Sequence, residues 1–464
     1  MQKRFLTFSA LLVCSCTLLF SAHLDPIVLL SPQYSNAETS ITGFVNEAIA
    51  VSHFKHSAQQ EPLVCLGFHI SSVNLDVVGA FSLHQKLSIL PDSQGFLWFQ
   101  SQASLALDTN APHIGYAEFR YKGFLASVGR RPLKWGPGLY DFGISSEVPF
   151  YDGAWLQYRI DQNYGAWWYQ LLATDFGGMY LSDAFPLSKQ LYAHRVGFEN
   201  RSFRATLSEL AMNWGSNSLL GLVPFGIWPA GLHEGSNVLI EATAEILVGN
   251  SRIYGSVIMN DQVMFGLNES KPLQLGGMLG FDWNLFPGAS FGDKHSFTFT
   301  ENTFKPLHGG LTVGAECYYA SNYLYTGAVQ EGTFTALLKQ FAYGGALYGD
   351  SLAYYFGFPY GPGALLAQTM INYENHGLRV SALLGVLAKN AASAQTLQGS
   401  MSLDTFSLDD SAYHLLATLE AEYHVHEAFQ LTARIKKDWN IHSNSSRLLF
   451  GLGVRLRWLE SLAA

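Results

Sequence analysis

Three cations and an indole crowd one stiff stretch of the chain, Gly129-Arg130-Arg131-Pro132-Leu133-Lys134-Trp135-Gly136-Pro137-Gly138-Leu139-Tyr140. A guanidinium presents paired donors that match a carboxylate or phosphate, and an ammonium adds a point charge. An indole beside them offers a flat face on which a sugar ring could stack, as could Trp167, Trp168, Trp214 and Trp228. Pro132 and Pro137 fix φ and bias Arg131 and Gly136 toward extended backbone, which leaves Lys134 and Trp135 on the turn between them. Arg195 adds a further cation. Arg130, Arg131, Lys134, Trp135 and Arg195 are therefore candidate contacts for an acidic ligand. The same residues also fit a plainer account: a strand end with an interfacial tryptophan and cations facing Glu118, Glu209, Glu241 and Glu245 of the same protein.

Catalysis has little support. Neither His-Glu-x-x-His nor Cys-x-x-Cys occurs, and the 15 histidines are scattered, with His424 and His426 the tightest pair. No metal or other cofactor is expected, and the chain reads as a non-enzyme, although a hydrolase assembling Ser, His and Asp from separate strands escapes any spacing argument.

What elements position the cations follows from composition and periodicity. Charged residues make up 14% of 464, against roughly a quarter in soluble proteins, while aromatics also reach 14%. A net charge of -9 without a long basic tract argues against nucleic-acid binding. Beyond the N-terminal segment no stretch holds 18 or more uninterrupted apolar residues, so spanning helices are not expected. Instead the signal has period two. Leu415, Ala417, Leu419, Ala421 and Tyr423 share one face against His414, Thr418, Glu420 and Glu422. Phe429, Leu431, Ala433 and Ile435 repeat the pattern, as do Val238 to Val248 before a Gly249-Asn250 turn and Ala117 to Tyr121 before Lys122-Gly123.

A β-sandwich also alternates, but aromatic strand ends, polar inner faces and a secretion signal favour a transmembrane antiparallel β-barrel of the bacterial outer membrane. Strands exposed to lipid must close, because an open edge leaves amides unpaired in hydrocarbon. Roughly 16 to 20 strands are expected between residues 61 and 458, with 18 the best estimate. A lumen that wide must be plugged or it conducts. The stretch from Gly129 to Tyr151, rich in glycine and proline, is too irregular for a central strand and suits a segment that leaves the wall.

Residues 1–22 carry Lys3 and Arg4 ahead of an apolar run, the pattern of a cleaved signal peptide, with a later exit near Ser35-Asn36-Ala37 or acylation at Cys16 as alternatives. Residues 23–60 are expected to form a periplasmic segment, with a short helix near Thr39 to Lys55 or an irregular leader equally compatible. Cys65 and Cys317 could pair in an oxidising compartment or stand as small wall residues. At the other end, Gly453, Leu456 and Trp458 fit the alternating, aromatic-terminated signal read by the barrel-assembly machinery, followed by an extension at 459–464. Outer-membrane lipids and that machinery are the expected partners, and a monomer is favoured.

At two blocks the sequence resembles the Wzi-like outer-membrane proteins of capsule assembly. One runs Gly129 to Gly138, then Ile144-Ser145-Ser146 and the strand Ala154 to Ile160; the other is Tyr192-Ala193-His194-Arg195-Val196, Ser208-Glu209, Pro224, Asn237 and Tyr254-Gly255 to Asn260-Asp261. The resemblance implies a barrel of about 18 strands occluded by inward-folded loops, a periplasmic helical portion, and a role in attaching or organising acidic surface polysaccharide. It also adds Glu209 to the candidate ligand contacts. A short N-terminal portion departs from that pattern. The alternative function is a general diffusion porin or substrate-specific transporter.

Overall fold

The computed structural model describes the chain from His23 to Arg457, except for residues 31–32, 35–63, 72–73, 92–96, 108–113, 147, 149, 181–185, 216–235, 261–273, 288–309, 328–332, 340–350, 376, 391–405, 427–428 and 442–444. The expected signal peptide, the helix considered at Thr39 to Lys55, Trp228, and the C-terminal extension with Trp458 lie outside the described residues.

The strands are β1 (His23–Leu30), β2 (Gln33–Tyr34), β3 (Val64–Ser71), β4 (Leu75–Pro91), β5 (Leu97–Leu107), β6 (Ile114–Tyr121), β7 (Phe124–Arg131), β8 (Tyr151–Gln162), β9 (Gly165–Tyr180), β10 (Pro186–Glu199) and β11 (Phe203–Gly215). They continue with β12 (Ser236–Val248), β13 (Ser251–Asn260), β14 (Leu275–Pro287), β15 (Gly310–Ala320), β16 (Thr335–Lys339), β17 (Ser351–Tyr355), β18 (Ala364–Asn375), β19 (Leu378–Lys389), β20 (Ala412–His426), β21 (Phe429–Asn440) and β22 (Ser445–Arg457).

Pairing from neighbour to neighbour closes a ring, because β1 is antiparallel to both β3 and β22. With β2, β5 and the separate β16–β17 ribbon set outside that circuit, eighteen strands complete it among the described residues, within the expected range. The long β4 serves twice: Leu75 to Ala80 pairs with β6 in the wall, whereas Leu83 to Pro91 pairs with β5. Pairing begins at His23, in the stretch expected to precede the barrel, so the sheet starts upstream of residue 61. Asp25 and Pro26 interrupt the apolar run of β1, which is why period two is faint there.

The wall is inside-out relative to a soluble protein. On β12, Glu241, Thr243 and Glu245 are buried, at 1%, 8% and 8% exposure, while Ile246 and Val248 on the other face are 44% and 61% exposed. Leu156, Tyr158 and Ile160 on β8 and Leu279, Phe281 and Trp283 on β14 extend the same outward apolar face. Each large apolar side chain left in water forfeits about 1.5–3 kcal/mol, a loss that surrounding lipid removes. A sandwich would bury these residues and expose the glutamates; a membrane barrel does the opposite.

Short turns gather at one end. Lys122, with φ 53°, opens the β6–β7 turn; Gly249, with φ 58°, serves β12–β13; Gly377, with φ 82°, serves β18–β19. The left-handed region suits glycine, and its use here gives two-residue connections that match the twist of the strands. Longer connections, including 132–150 between β7 and β8 and 321–363 between β15 and β18, lie at the opposite end. In bacterial barrels the short turns face the periplasm and the longer loops the exterior.

Candidate functional site

Segment 132–150 turns off the wall after Arg131 and packs inside the barrel. Phe142, Ile144 and Val148 are fully buried and join a core that takes in Leu210 of β11, Leu239 of β12, Ile258 of β13 and Tyr318 of β15. Two further pieces of the β15–β18 connection, 321–326 and 356–363, pack into the same core through Leu324, Tyr325, Phe356 and Phe358. Hydrogen bonds to main-chain carbonyls tie the pieces together: the Ser145 amide donates to the Phe356 carbonyl at 2.9 Å, and the Tyr325 hydroxyl donates to the Phe142 carbonyl at 2.8 Å.

Glycine lets these backbones approach the wall and each other. A Cβ at Gly143 would fall on the Glu241 carboxylate, and one at Gly357 on the Phe142 carbonyl. No rotamer change relieves the second, because backbone is the obstacle. Trp135-Gly136-Pro137-Gly138 has a counterpart in Tyr360-Gly361-Pro362-Gly363, and the chain just past the first turn meets the second: Tyr140 lies edge-on to Tyr360, with ring centroids 5.7 Å apart. Each turn receives a buried lysine, since Lys134 donates to the Gly138 carbonyl and Lys389 of β19 to the Pro362 carbonyl.

Arg195 locks the first turn to the wall. Its guanidinium lies between the rings of Trp135 and Trp168, 4.5 and 4.7 Å from their centroids. Nη1 donates to the Trp135 carbonyl at 2.6 Å, and Nε donates to the Gln170 amide oxygen. Neutral oxygens and two π faces thus satisfy a guanidinium that is 5% exposed. Glu316 of β15 completes the attachment. Its carboxylate accepts from the Leu139 amide at 2.8 Å and from the Tyr254 hydroxyl, the Tyr318 hydroxyl and the Gln368 amide, each at 2.7 Å.

Asp141 has no such partners. It is 1% exposed, and neither carboxylate oxygen meets a donor in bonding geometry. Burial pushes its carboxyl up to about 7, a rise that Lys134, the Gly136 amide and Arg195 oppose and Glu316 reinforces.

The candidate residues thus divide. Lys134, Trp135 and Arg195 come together, and Arg131 lies on the lumen side with Nη1 2.7 Å from Glu118, its guanidinium over the rings of Tyr116 and Trp155. Arg130 does not join them. It shares strand parity with the exposed Val128, bonds Asp152 directly opposite at 2.6 and 2.5 Å, and covers the Phe150 ring. Glu209 shares parity with the exposed Leu207, so it stands on the outward side of the wall from Arg195, where His194 Nε2 lies 2.6 Å from it and Tyr169 bonds the other ring nitrogen at 3.1 Å. Trp167 and Trp168 split likewise, Trp167 outward at 47% exposure and Trp168 inward at 3%. Cys317 is a free, exposed thiol, so the disulfide with Cys65 is not formed. Gly453 and Leu456 lie in β22, each paired with β21.

Asp141, Glu316 and segment 356–363 were missed as site elements. The second aromatic-Gly-Pro-Gly turn was the available signal for the last of these. A Gly-x-Ser-x-Gly spacing, Gly288-Ala289-Ser290-Phe291-Gly292, is also present and lies outside the described residues.

Nearer the short turns, the lumen wall carries a ladder of alternating charge. Arg159 bonds Glu199 at 2.5 Å, Arg204 bonds Glu199 at 2.7 Å and Glu245 at 3.5 Å, and Arg252 bonds Glu245 at 3.1 Å and Asp282 at 2.6 Å. It reaches from β8 to β14, and shared partners make it worth more than the same number of isolated pairs.

No family model and no curated protein sequence matches the chain. Among solved structures it is similar to Wzi of Escherichia coli, described as an outer-membrane protein involved in group 1 capsule assembly and a carbohydrate-binding β-barrel. The TM-score is 0.56 and the identity 14%, over 96% of this chain and 86% of that one. OprD of Pseudomonas aeruginosa aligns over 94% of each chain at a TM-score of 0.43 and 10% identity, and OccK5 of the same organism over 94% and 97% at 0.41 and 9%. The chain folds as an all-β, antiparallel barrel of the bacterial outer membrane, with its apolar outer face in lipid and a packed core inside.

Proposed function

We propose that this barrel is closed to general diffusion and works at the cell surface by contact with polysaccharide, in the manner of the Wzi-like proteins. The observation that carries the reading is the knitting of segment 132–150 across the lumen by Arg195, Glu316 and the Phe356 carbonyl. A general pore needs an open water path at this level, whereas here the interior holds fully buried Phe142, Ile144, Phe356 and Phe358. The similarity to Wzi supports the architecture. The buried cations position the inward segment, so glycan contact falls to the outer surface of the loops. A cleaved signal peptide and delivery by the barrel-assembly machinery belong to the same reading.

Calorimetric titration of the purified barrel with surface glycan from its own source organism tests it. Saturable heat, together with altered surface glycan in a deletion strain, is the expected result; no heat and unchanged glycan would overturn the proposal. A transporter is the second reading, favoured by the mixed-sign ladder of the lower lumen. Planar-bilayer recording at about pH 5 separates the two, since a transporter shows sustained conductance there and a closed barrel shows only rare events.

A further inference from the structure

Between segment 132–150 and the wall lie more buried carboxyls than cations. Asp141 faces Lys134 on its own segment, Arg195 on β10, Glu316 on β15 and Glu241 on β12, with the Tyr151 and Tyr325 hydroxyls nearby. The Phe142 and Gly143 amides approach Glu241, whose Oε1 has no partner; the Gly136 amide approaches Asp141, neither of whose oxygens meets a donor in full bonding geometry. Glu316 is saturated by four neutral donors. Two cations against three carboxyls leave one negative charge over in a space closed to water. Two ionised carboxylates facing each other across such a space repel, and a single proton relieves them.

We propose that Asp141 and Glu241 hold one proton between the inward segment and the wall, and that losing it unseats the segment, making the barrel a gate that loosens as pH rises. The sign follows from linkage. The seated Asp141 carboxyl titrates near 7, above its ordinary value of 3.8. The seated state therefore binds the extra proton, and its advantage is complete below about 3.8, shrinks as pH rises from there and is gone above about 7. The inference rests on the packing of the segment and stands whether or not the barrel binds glycan.

The test is conductance of the full-length barrel in planar bilayers. At about pH 5 the wild type is expected to be nearly silent, and at about pH 8 its open probability rises by up to on the order of a hundredfold. Asp141→Asn and Glu241→Gln each replace one carboxyl with a neutral amide, so both variants stay at the acid level at the higher pH. Heat-modifiable migration on gels confirms that each variant has folded, and either one that folds suffices. A wild type equally silent or equally conducting at the two pH values overturns the proposal, as does a folded variant that keeps the full response.

Discussion

Arg195 and Trp135, 60 residues apart in the chain, are joined twice: Nη1 donates to the tryptophan carbonyl at 2.6 Å, and the guanidinium lies 4.5 Å from the ring centroid. A lysine at this position keeps the charge, but its single ammonium nitrogen does not span the Trp135 carbonyl and Gln170 as the guanidinium fork does, and it has no flat face to fill the gap between Trp135 and Trp168. Arg195→Lys should lower stability to urea by on the order of 2 kcal/mol, a hydrogen bond to a charged group plus part of the stacking. Tryptophan emission should also shift to the red. An unchanged unfolding midpoint would show that the paired contact adds little.

Gly143→Ala and Gly357→Ala test the close approach of the backbones. Each added methyl overlaps atoms of the wall or of the neighbouring segment, and overpacking of this kind costs about 1–3 kcal/mol. Because the ring of strands does not depend on either glycine, both variants should still assemble into heat-modifiable barrels. The inward segment should give way instead, with more frequent openings in bilayers at acid pH. If both variants are as silent as the wild type, the segment has room that the packing denies.

Glu316 and Glu245 should respond unequally to loss of charge. Glu316→Gln turns two acceptor sites into donors that face the Tyr318 hydroxyl and the Gln368 amide, or the Leu139 amide and the Tyr254 hydroxyl, and should cost on the order of 3 kcal/mol. Glu245→Gln leaves Arg204 on Glu199 and Arg252 on Asp282, so the expected cost is about 1 kcal/mol. Parallel urea unfolding of the two variants measures the difference, and a reversed order would refute the assignment of Glu316 as the anchor of Leu139.

Cys317 lies on the outward face of β15, opposite in parity to Glu316 and Tyr318. A fluorophore attached there, in a Cys65→Ala background, should be quenched strongly by bromine-labelled acyl chains and weakly by aqueous iodide. Stronger iodide quenching would place this face of β15 in water and contradict the orientation of the wall.

Period two in the sequence, taken with aromatic strand ends, polar inner faces and the secretion signal, was enough to point to a closed barrel with polar residues inside, because lipid leaves no other outcome for alternating strands whose amides must all be paired. The Pro- and Gly-rich run after Arg131 likewise marks where the chain leaves the wall, since Pro132 and Pro137 cannot donate to a central ladder. Local pattern also assigns a face to each strand residue, and on that basis Glu118, Glu241 and Glu245 belong to the lumen. It was less informative at strand ends. Arg130 and Glu209 read as lumen or rim groups, yet parity with Val128 and Leu207 sets them on the other side, where Asp152 and His194 meet them. What meets the inward segment was beyond reach of spacing altogether. Leu139 and Glu316 are 177 residues apart, and Tyr151 and Phe356 are 205 apart. Only closure of the ring and the folding of segment 132–150 into it bring residues of β10, β12 and β15 around one enclosed space, and only there does the balance of buried carboxyls and cations acquire a meaning.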